Sequence, residues 1–182
     1  MISIANAVGS GELGVELDVA EVESDLDLPY TEYDPSNYHG LYIRLIEDGP
    51  LITVYRSGKD IISGCSTFEQ LDETNDGFLT ALSELEIVHS EVETGFTVQN
   101  VVCTAQLDDL VDLNTLSIAL GLESVEYEPE QFPGLIYRPA DHPVVLLVFA
   151  NGKVVITGAS DLDNAADAFK YLQEQVTTYL EQ

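Results

Sequence analysis

Basic residues are what this chain has least of. Lys and Arg number six against 33 Asp and Glu, a formal net charge of −27. Such a surface repels itself at low ionic strength. It becomes tolerable in molar salt, where the Debye length falls to about 3 Å. The balance suits a cytoplasm full of salt, as in extreme halophiles, or more blandly any acidic soluble protein. No apolar run reaches the roughly 18 residues that would span a membrane, and no basic, apolar leader follows Met1, so the expected location is cytoplasmic. The two cysteines, Cys65 and Cys103, sit in apolar strand contexts and read as reduced core thiols. His39, His89 and His142 are scattered, so no metal-ligand spacing exists and no cofactor is implied. A paired-carboxylate site and a Ser/His/Asp set are missing, which argues against an enzyme. The hydrophobic fraction of 45% nevertheless provides for a folded core.

What is present is a duplication. Residues 2–88 align with 96–182 at a constant offset of 94 without a gap, through pairs such as Asn6/Asn100, Val8/Val102, Tyr33/Tyr127, Pro35/Pro129, Gly40/Gly134, Arg44/Arg138, Lys59/Lys153 and Gly64/Gly158. A unit this long, present twice, reads as an intramolecular pseudo-dimer, with residues 89–95 as connector.

Each copy has the same grammar. Residues 2–8 alternate and predict a strand. Asp18 and Asp112 open a short helix, and strands are expected over 38–46, 51–56 and 59–63 and their copies. Ser57-Gly58 and Asn151-Gly152 are hairpin turns. Ser66 with Glu69, and Ser160 with Asp163, are read as the starts of long helices. Their apolar stripes are Phe68, Leu71, Phe78, Leu82 and Leu85 in one copy, and Leu162, Ala165, Phe169, Leu172, Val176 and Tyr179 in the other. The expectation is an α+β fold: antiparallel sheet with helices on one face.

Side chains alternate along a strand, so parity picks out the helix-free face. In the first copy it holds Ile2, Ile4, Asn6, Val8, Tyr38, Gly40, Tyr42, Arg44, Leu51, Thr53, Tyr55, Lys59, Ile61 and Ser63. In the second it holds Phe96, Val98, Asn100, Val102, Phe132, Gly134, Ile136, Arg138, Val145, Leu147, Phe149, Lys153, Val155 and Thr157. None of these is acidic, and four of the six basic residues are among them. An apolar, aromatic face with paired cations fits the minor groove of DNA. Apolar groups meet sugars and base edges, Arg44, Arg138, Lys59 and Lys153 meet phosphates, and the Asn6 and Asn100 amides donate to adenine N3 and thymine O2. An apolar small molecule enclosed between helix and sheet is a different reading of the same face. Nothing in the paired cations asks for it.

The tracts YEPEQFPGLIYR (Tyr127–Arg138) and VVLLVFANGKVVITGA (Val144–Ala159) resemble the second repeat of the TATA-box-binding family. YDPSNYHGLYIR (Tyr33–Arg44), LITVYRSGKDIISGC (Leu51–Cys65) and FTVQNVV (Phe96–Val102) extend the resemblance over essentially the whole chain, in the compact archaeal form. The resemblance implies a saddle-shaped, roughly ten-stranded antiparallel sheet built from two pseudo-symmetric repeats, with helices on the convex face. It implies a general transcription initiation factor that binds the minor groove of A·T-rich promoter DNA as a monomer, bends it, and recruits transcription factor B and, indirectly, RNA polymerase in the nucleoid. Phe132 and Phe149 match the wedges of the second repeat, and Tyr38 and Tyr55 stand at the matching places of the first. Asn6, Asn100, Val8, Val102, Ser63 and Thr157 match central base-edge contacts. Glu128 and Glu130 match the loop where transcription factor B docks. Tyr for Phe at both first-repeat wedges, and Ser63 for Thr, keep open a divergent, gene-specific regulator that acts mainly through protein contacts.

Overall fold

The computed structural model describes residues 1–180, so the last two residues of the expected second repeat lie outside the described residues. Ten strands and four helices follow in the order β1 (Ser3–Glu12), α1 (Val19–Asp25), β2 (Tyr30–Glu32), β3 (Gly40–Arg44), β4 (Leu51–Tyr55), β5 (Lys59–Cys65), α2 (Phe68–Glu84), β6 (Thr97–Gln106), α3 (Leu113–Leu120), β7 (Val125–Glu126), β8 (Leu135–Tyr137), β9 (Val145–Val148), β10 (Lys153–Ala159) and α4 (Leu162–Leu180). The expected α+β class and the internal two-repeat design hold. By contacts the chain forms two compact units, Asn6–Gln99 and Asn100–Gln182, the latter joined by Met1–Ala5.

In the first unit the antiparallel ladder runs β2-β3-β4-β5-β1, and in the second β6-β10-β9-β8-β7. Tight turns set the hairpins: Gly58 and Gly152 adopt φ of 84° and 82°, a conformation that costs glycine nothing. Each ladder carries one irregularity, between Ala7 and Gly9 against β5 in the first unit and between Ile156 and Ala159 against β6 in the second.

Strand parity divides the side chains as the alternation requires. Leu41, Ile43, Ile52, Val54 and Ile62 in the first unit, and Val101, Cys103, Leu135, Leu146, Val148, Val154 and Ile156 in the second, are wholly buried. They meet the helices, α2 packing on β5 and α4 on β10, through Leu71, Phe78 and Leu82 and through Ala165, Ala168, Phe169 and Leu172. Burying each large aliphatic side chain is worth about 1.5–3 kcal/mol, so the helix-facing parity supplies the core of each unit. Cys65 and Cys103 lie in these cores as free thiols. Burial raises the pKa of both.

Four sequence expectations need correction. The helix starts lie one residue further on. Thr67, not Ser66, caps α2 by accepting the Gln70 N–H at 3.0 Å, while Gln70 Oε1 reaches back to the Ser66 N–H at 2.8 Å. Asp161, not Ser160, accepts the Asn164 N–H at 2.7 Å at the start of α4. The stripes shift with them: Thr74 is buried, whereas Leu162 and Tyr179 are exposed. Phe96 does not belong to the helix-free face. It precedes β6, and its ring lies so close to Gly9, beside Leu71 of α2, that a Cβ at Gly9 would stand 2.4 Å from it. Finally, the short edge strands β2 and β7 add residues to the helix-free face. Directly paired residues of antiparallel strands share a face, and Glu32 pairs with Tyr42, as Glu126 does with Ile136. The face therefore carries one carboxylate at each edge strand.

Candidate nucleic-acid interface

In each unit the helix-free face is half-exposed rather than solvated. Asn6, Val8, Tyr38, Tyr42, Arg44, Leu51, Tyr55 and Ser63 in the first unit are partly accessible, as are Asn100, Val102, Phe132, Ile136, Val145, Leu147, Phe149, Val155 and Thr157 in the second. An antiparallel sheet with one open face ordinarily makes that face polar. Here it is a largely apolar, partly accessible floor.

The asparagines are fixed by the ladder irregularities. Asn6 Oδ1 accepts the Gly64 N–H at 2.8 Å, and Asn100 Oδ1 accepts the Gly158 N–H at 3.0 Å. Gly64 and Gly158 adopt φ of 85° and 84°, the left-handed conformation that swings an otherwise laddered N–H toward the side chain. A backbone N–H seeks an acceptor, so the amide orientation follows from the bond itself. The oxygen is committed to that N–H, and neither Nδ2 amino group has an acceptor among the described residues. Each face thus presents a neutral double donor at a set position, flanked by Val8 and Ser63 in one unit and by Val102 and Thr157 in the other.

The aromatic pairs repeat the same geometry. Phe132 and Phe149 meet edge to face, with ring centroids 5.8 Å apart and planes at 67°. Tyr38 and Tyr55 are 6.2 Å apart, also at 67°. A backbone turn places the first ring of each pair. Glu128 C=O accepts the Phe132 N–H at 3.0 Å, and Asp34 C=O accepts the Tyr38 N–H at 2.8 Å. A glycine lies beneath each pair. A Cβ on Gly134 would stand 2.7 Å from the Phe132 ring and 3.1 Å from Phe149, and one on Gly40 would stand 2.9 Å from Tyr38 and 3.1 Å from Tyr55. The Tyr38 and Tyr55 hydroxyls bond each other at 2.7 Å. Burial first, then that bond, push the Tyr55 hydroxyl up to about 12, so it stays protonated.

The cations stand at the margins. Lys59 and Lys153 are exposed. Arg44 donates to the Gly49 carbonyl and lies 5.9 Å from the Tyr30 ring centroid. Arg138 donates to Glu126 at 3.2 Å, with both side chains more than half exposed. Such an exposed pair is worth at most about 1 kcal/mol and exchanges readily for another anion. Glu128 and Glu130 are exposed on the loop before Phe132, and Glu128 accepts a side-chain bond from Gln131.

Sequence reasoning missed Tyr30 and His39 beside these residues and the stacking of Tyr42, which it had placed on the face. Tyr30 carries Arg44 and donates its hydroxyl to Glu32. Tyr42 stacks on Tyr38 at 5.3 Å with planes 3° apart, and His39 lies 4.7 Å from Tyr38 and 5.2 Å from Tyr55. The offset identity of Glu32 with Glu126 was the available signal for the edge strands. Among the described residues no cluster of three or more His, Cys, Asp or Glu is placed to hold a metal, and no helix is long and apolar enough to cross a membrane.

Fold and face together define a duplicated α+β protein with a half-exposed, largely apolar helix-free sheet surface in each unit. Comparison with known proteins makes this specific. The family model described as transcription factor TFIID (or TATA-binding protein, TBP) matches residues 1–85 and 95–179. TATA-box-binding protein C of Halobacterium salinarum is 65% identical over 175 residues, covering 96% of this chain and 97% of that one. TATA-box-binding protein 2 of Haloferax volcanii is 39% identical, covering 96% and 92%. The solved structure of Methanococcus jannaschii TBP superposes with a TM-score of 0.83 at 36% identity, covering 97% of this chain and 98% of that one. The chain belongs to the TATA-binding protein family, a family of transcription factors rather than of enzymes, and its relatives include proteins of halophilic archaea.

Proposed function

We propose that this chain is a transcription initiation factor that binds the minor groove of A·T-rich promoter DNA through the helix-free face, bends it, and recruits transcription factor B and thereby RNA polymerase. The observation that carries the reading is the pair of locked amides. With Oδ1 of Asn6 and Asn100 turned to the Gly64 and Gly158 N–H groups, the Nδ2 donors are left for a partner. Adenine N3 and thymine O2 are acceptors, whereas guanine N2 is a donor that the same amide repels. The half-exposed valines and the Ser63 and Thr157 side chains accept sugar and base edges. Phe132, Phe149, Tyr38 and Tyr55 wedge base steps apart, and Arg44, Lys59, Arg138 and Lys153 take phosphates. The exposed Glu128 and Glu130 offer transcription factor B a docking loop. The two repeats are assigned as 1–88 and 96–182.

The test is a titration of an A·T-rich duplex against KCl, read by anisotropy. Four or five cations release few counterions, so the slope of log K against log salt is expected to be no steeper than about −4.5. Cation uptake by nearby carboxylates offsets even that, so binding should persist in molar KCl. Steep loss of affinity on adding salt, or no binding at any salt, would overturn the reading. A second reading, a gene-specific regulator acting mainly through protein contacts, draws on the Tyr38–Tyr55 hydroxyl pair. It requires that the chain bind the duplex only when transcription factor B is present.

A further inference from the structure

The two aromatic pairs share one geometry but not one chemistry. Both meet edge to face at 67°, both are half-exposed, and both lie over a glycine. The difference is two hydroxyl groups. Phe132 and Phe149 present carbon and hydrogen only. Tyr38 and Tyr55 share one hydrogen bond of 2.7 Å, which uses one O–H proton. The other O–H, and the remaining lone pairs of both oxygens, are unused.

On the minor-groove reading proposed above, on which this inference rests, each pair is pressed against the edge of a base pair at one end of the site. There the chemistry matters. An A·T edge offers acceptors only, and a G·C edge adds the guanine N2 amino donor. Against two phenyl rings that amino group is stripped of water and left without an acceptor, a loss of about tenfold in affinity. Against the tyrosine pair it finds a hydroxyl oxygen.

We propose that Tyr38 and Tyr55 relax base selection at one end of the site, so that a G·C pair is accepted under the tyrosine half and refused under the phenylalanine half. Tyr42, stacked on Tyr38 at 5.3 Å with planes 3° apart, braces the Tyr38 ring. Because the ends then differ in what they accept, a single terminal G·C pair also orients the protein on an otherwise symmetric A·T tract.

The test uses the full chain in molar KCl and three duplexes with the same palindromic A·T core: terminal A·T pairs only, G·C at one end, and G·C at both ends. One G·C end should cost less than about threefold in affinity, because the tyrosine half turns to face it. Two G·C ends should cost about tenfold or more, corresponding to at least about 1.4 kcal/mol. Replacing both G·C pairs by inosine·C, which lacks only the N2 amino group, should restore the A·T affinity. In the double variant Tyr38→Phe, Tyr55→Phe, one G·C end should already cost about tenfold. A melting curve checks that the variant folds. If it does not, the wild-type duplex series with its inosine control still decides the matter. Equal losses for one and two G·C ends in the wild type would overturn the inference, as would a double variant indistinguishable from it. Those results leave the minor-groove reading standing, because the A·T duplex would still bind. Failure to bind the A·T duplex would overturn both.

Discussion

Asp60 is the one acidic side chain buried in the cores described here, 1% exposed, with neither carboxylate oxygen in a hydrogen bond. Its copy at the 94-residue offset is Val154, wholly buried. Burial pushes the Asp60 carboxyl up from 3.8 to about 6, with the adjacent Gly11 N–H acting in the opposite direction. A carboxyl whose pKa is raised on folding stabilises the fold while protonated in both states and loses that contribution as pH rises through the folded value. Above about pH 7 the folded state carries an ionised group it would rather not hold. The shift of about two pKa units corresponds to roughly 3 kcal/mol. Asp60→Val removes this cost and imitates the second repeat. The variant should be more stable than wild type at about pH 8, and its advantage there should exceed that at about pH 4.5 by about 2 kcal/mol. Urea unfolding of both proteins at the two pH values, in constant molar KCl, reads the difference directly. Other carboxylates titrate equally in both proteins and cancel. An advantage independent of pH, or a variant less stable at pH 8, would refute the picture of a buried carboxyl held against its preference.

Three further outcomes follow from the face. Asn100→Asp keeps an acceptor for the Gly158 N–H but removes both donors, so melting should be little changed while A·T-duplex affinity falls about tenfold or more; unchanged binding in a titration would remove the amide from the contact. Phe149→Ala deletes a ring of the second-unit pair, and loss of stacking of about 1–3 kcal/mol should lower affinity and reduce the bend seen by fluorescence transfer between duplex ends. Gly134→Ala places a methyl against both phenylalanine rings, an overpacking cost of about 1–3 kcal/mol, and should weaken binding about tenfold with a smaller effect on melting; a variant that binds as wild type would show the rings need no fixed seat.

Much of this arrangement was legible because a two-residue period, repeated at a fixed offset, leaves little freedom. Parity placed Asn6, Tyr38, Arg44, Phe132 and Phe149 on the helix-free side, and burial of Leu41, Ile43, Leu135 and Ile156 on the other side agrees. The errors have physical causes. Tyr30–Glu32 and Val125–Glu126 are three and two residues long, too short to show alternation, so Glu32 and Glu126 were not seen to join the face. Parity was carried one step too far at Phe96, which precedes the strand and turns to fill the space Gly9 leaves. Asp60 occupies a helix-facing position where only the Val154 copy hinted at an apolar site. The hydroxyl pairing of Tyr38 with Tyr55 depends on a distance between two strands, which no single-strand pattern contains.

On the proposed minor-groove reading, the amides clamped by Gly64 and Gly158 have a consequence in concentrated salt. They are uncharged and their direction is decided when the chain folds, so they exchange no ions and surrender little freedom when a duplex arrives. Selectivity vested in such groups does not fade as potassium accumulates. What brine removes is long-range attraction, so on that reading this molecule trades rapid capture for discrimination indifferent to salt.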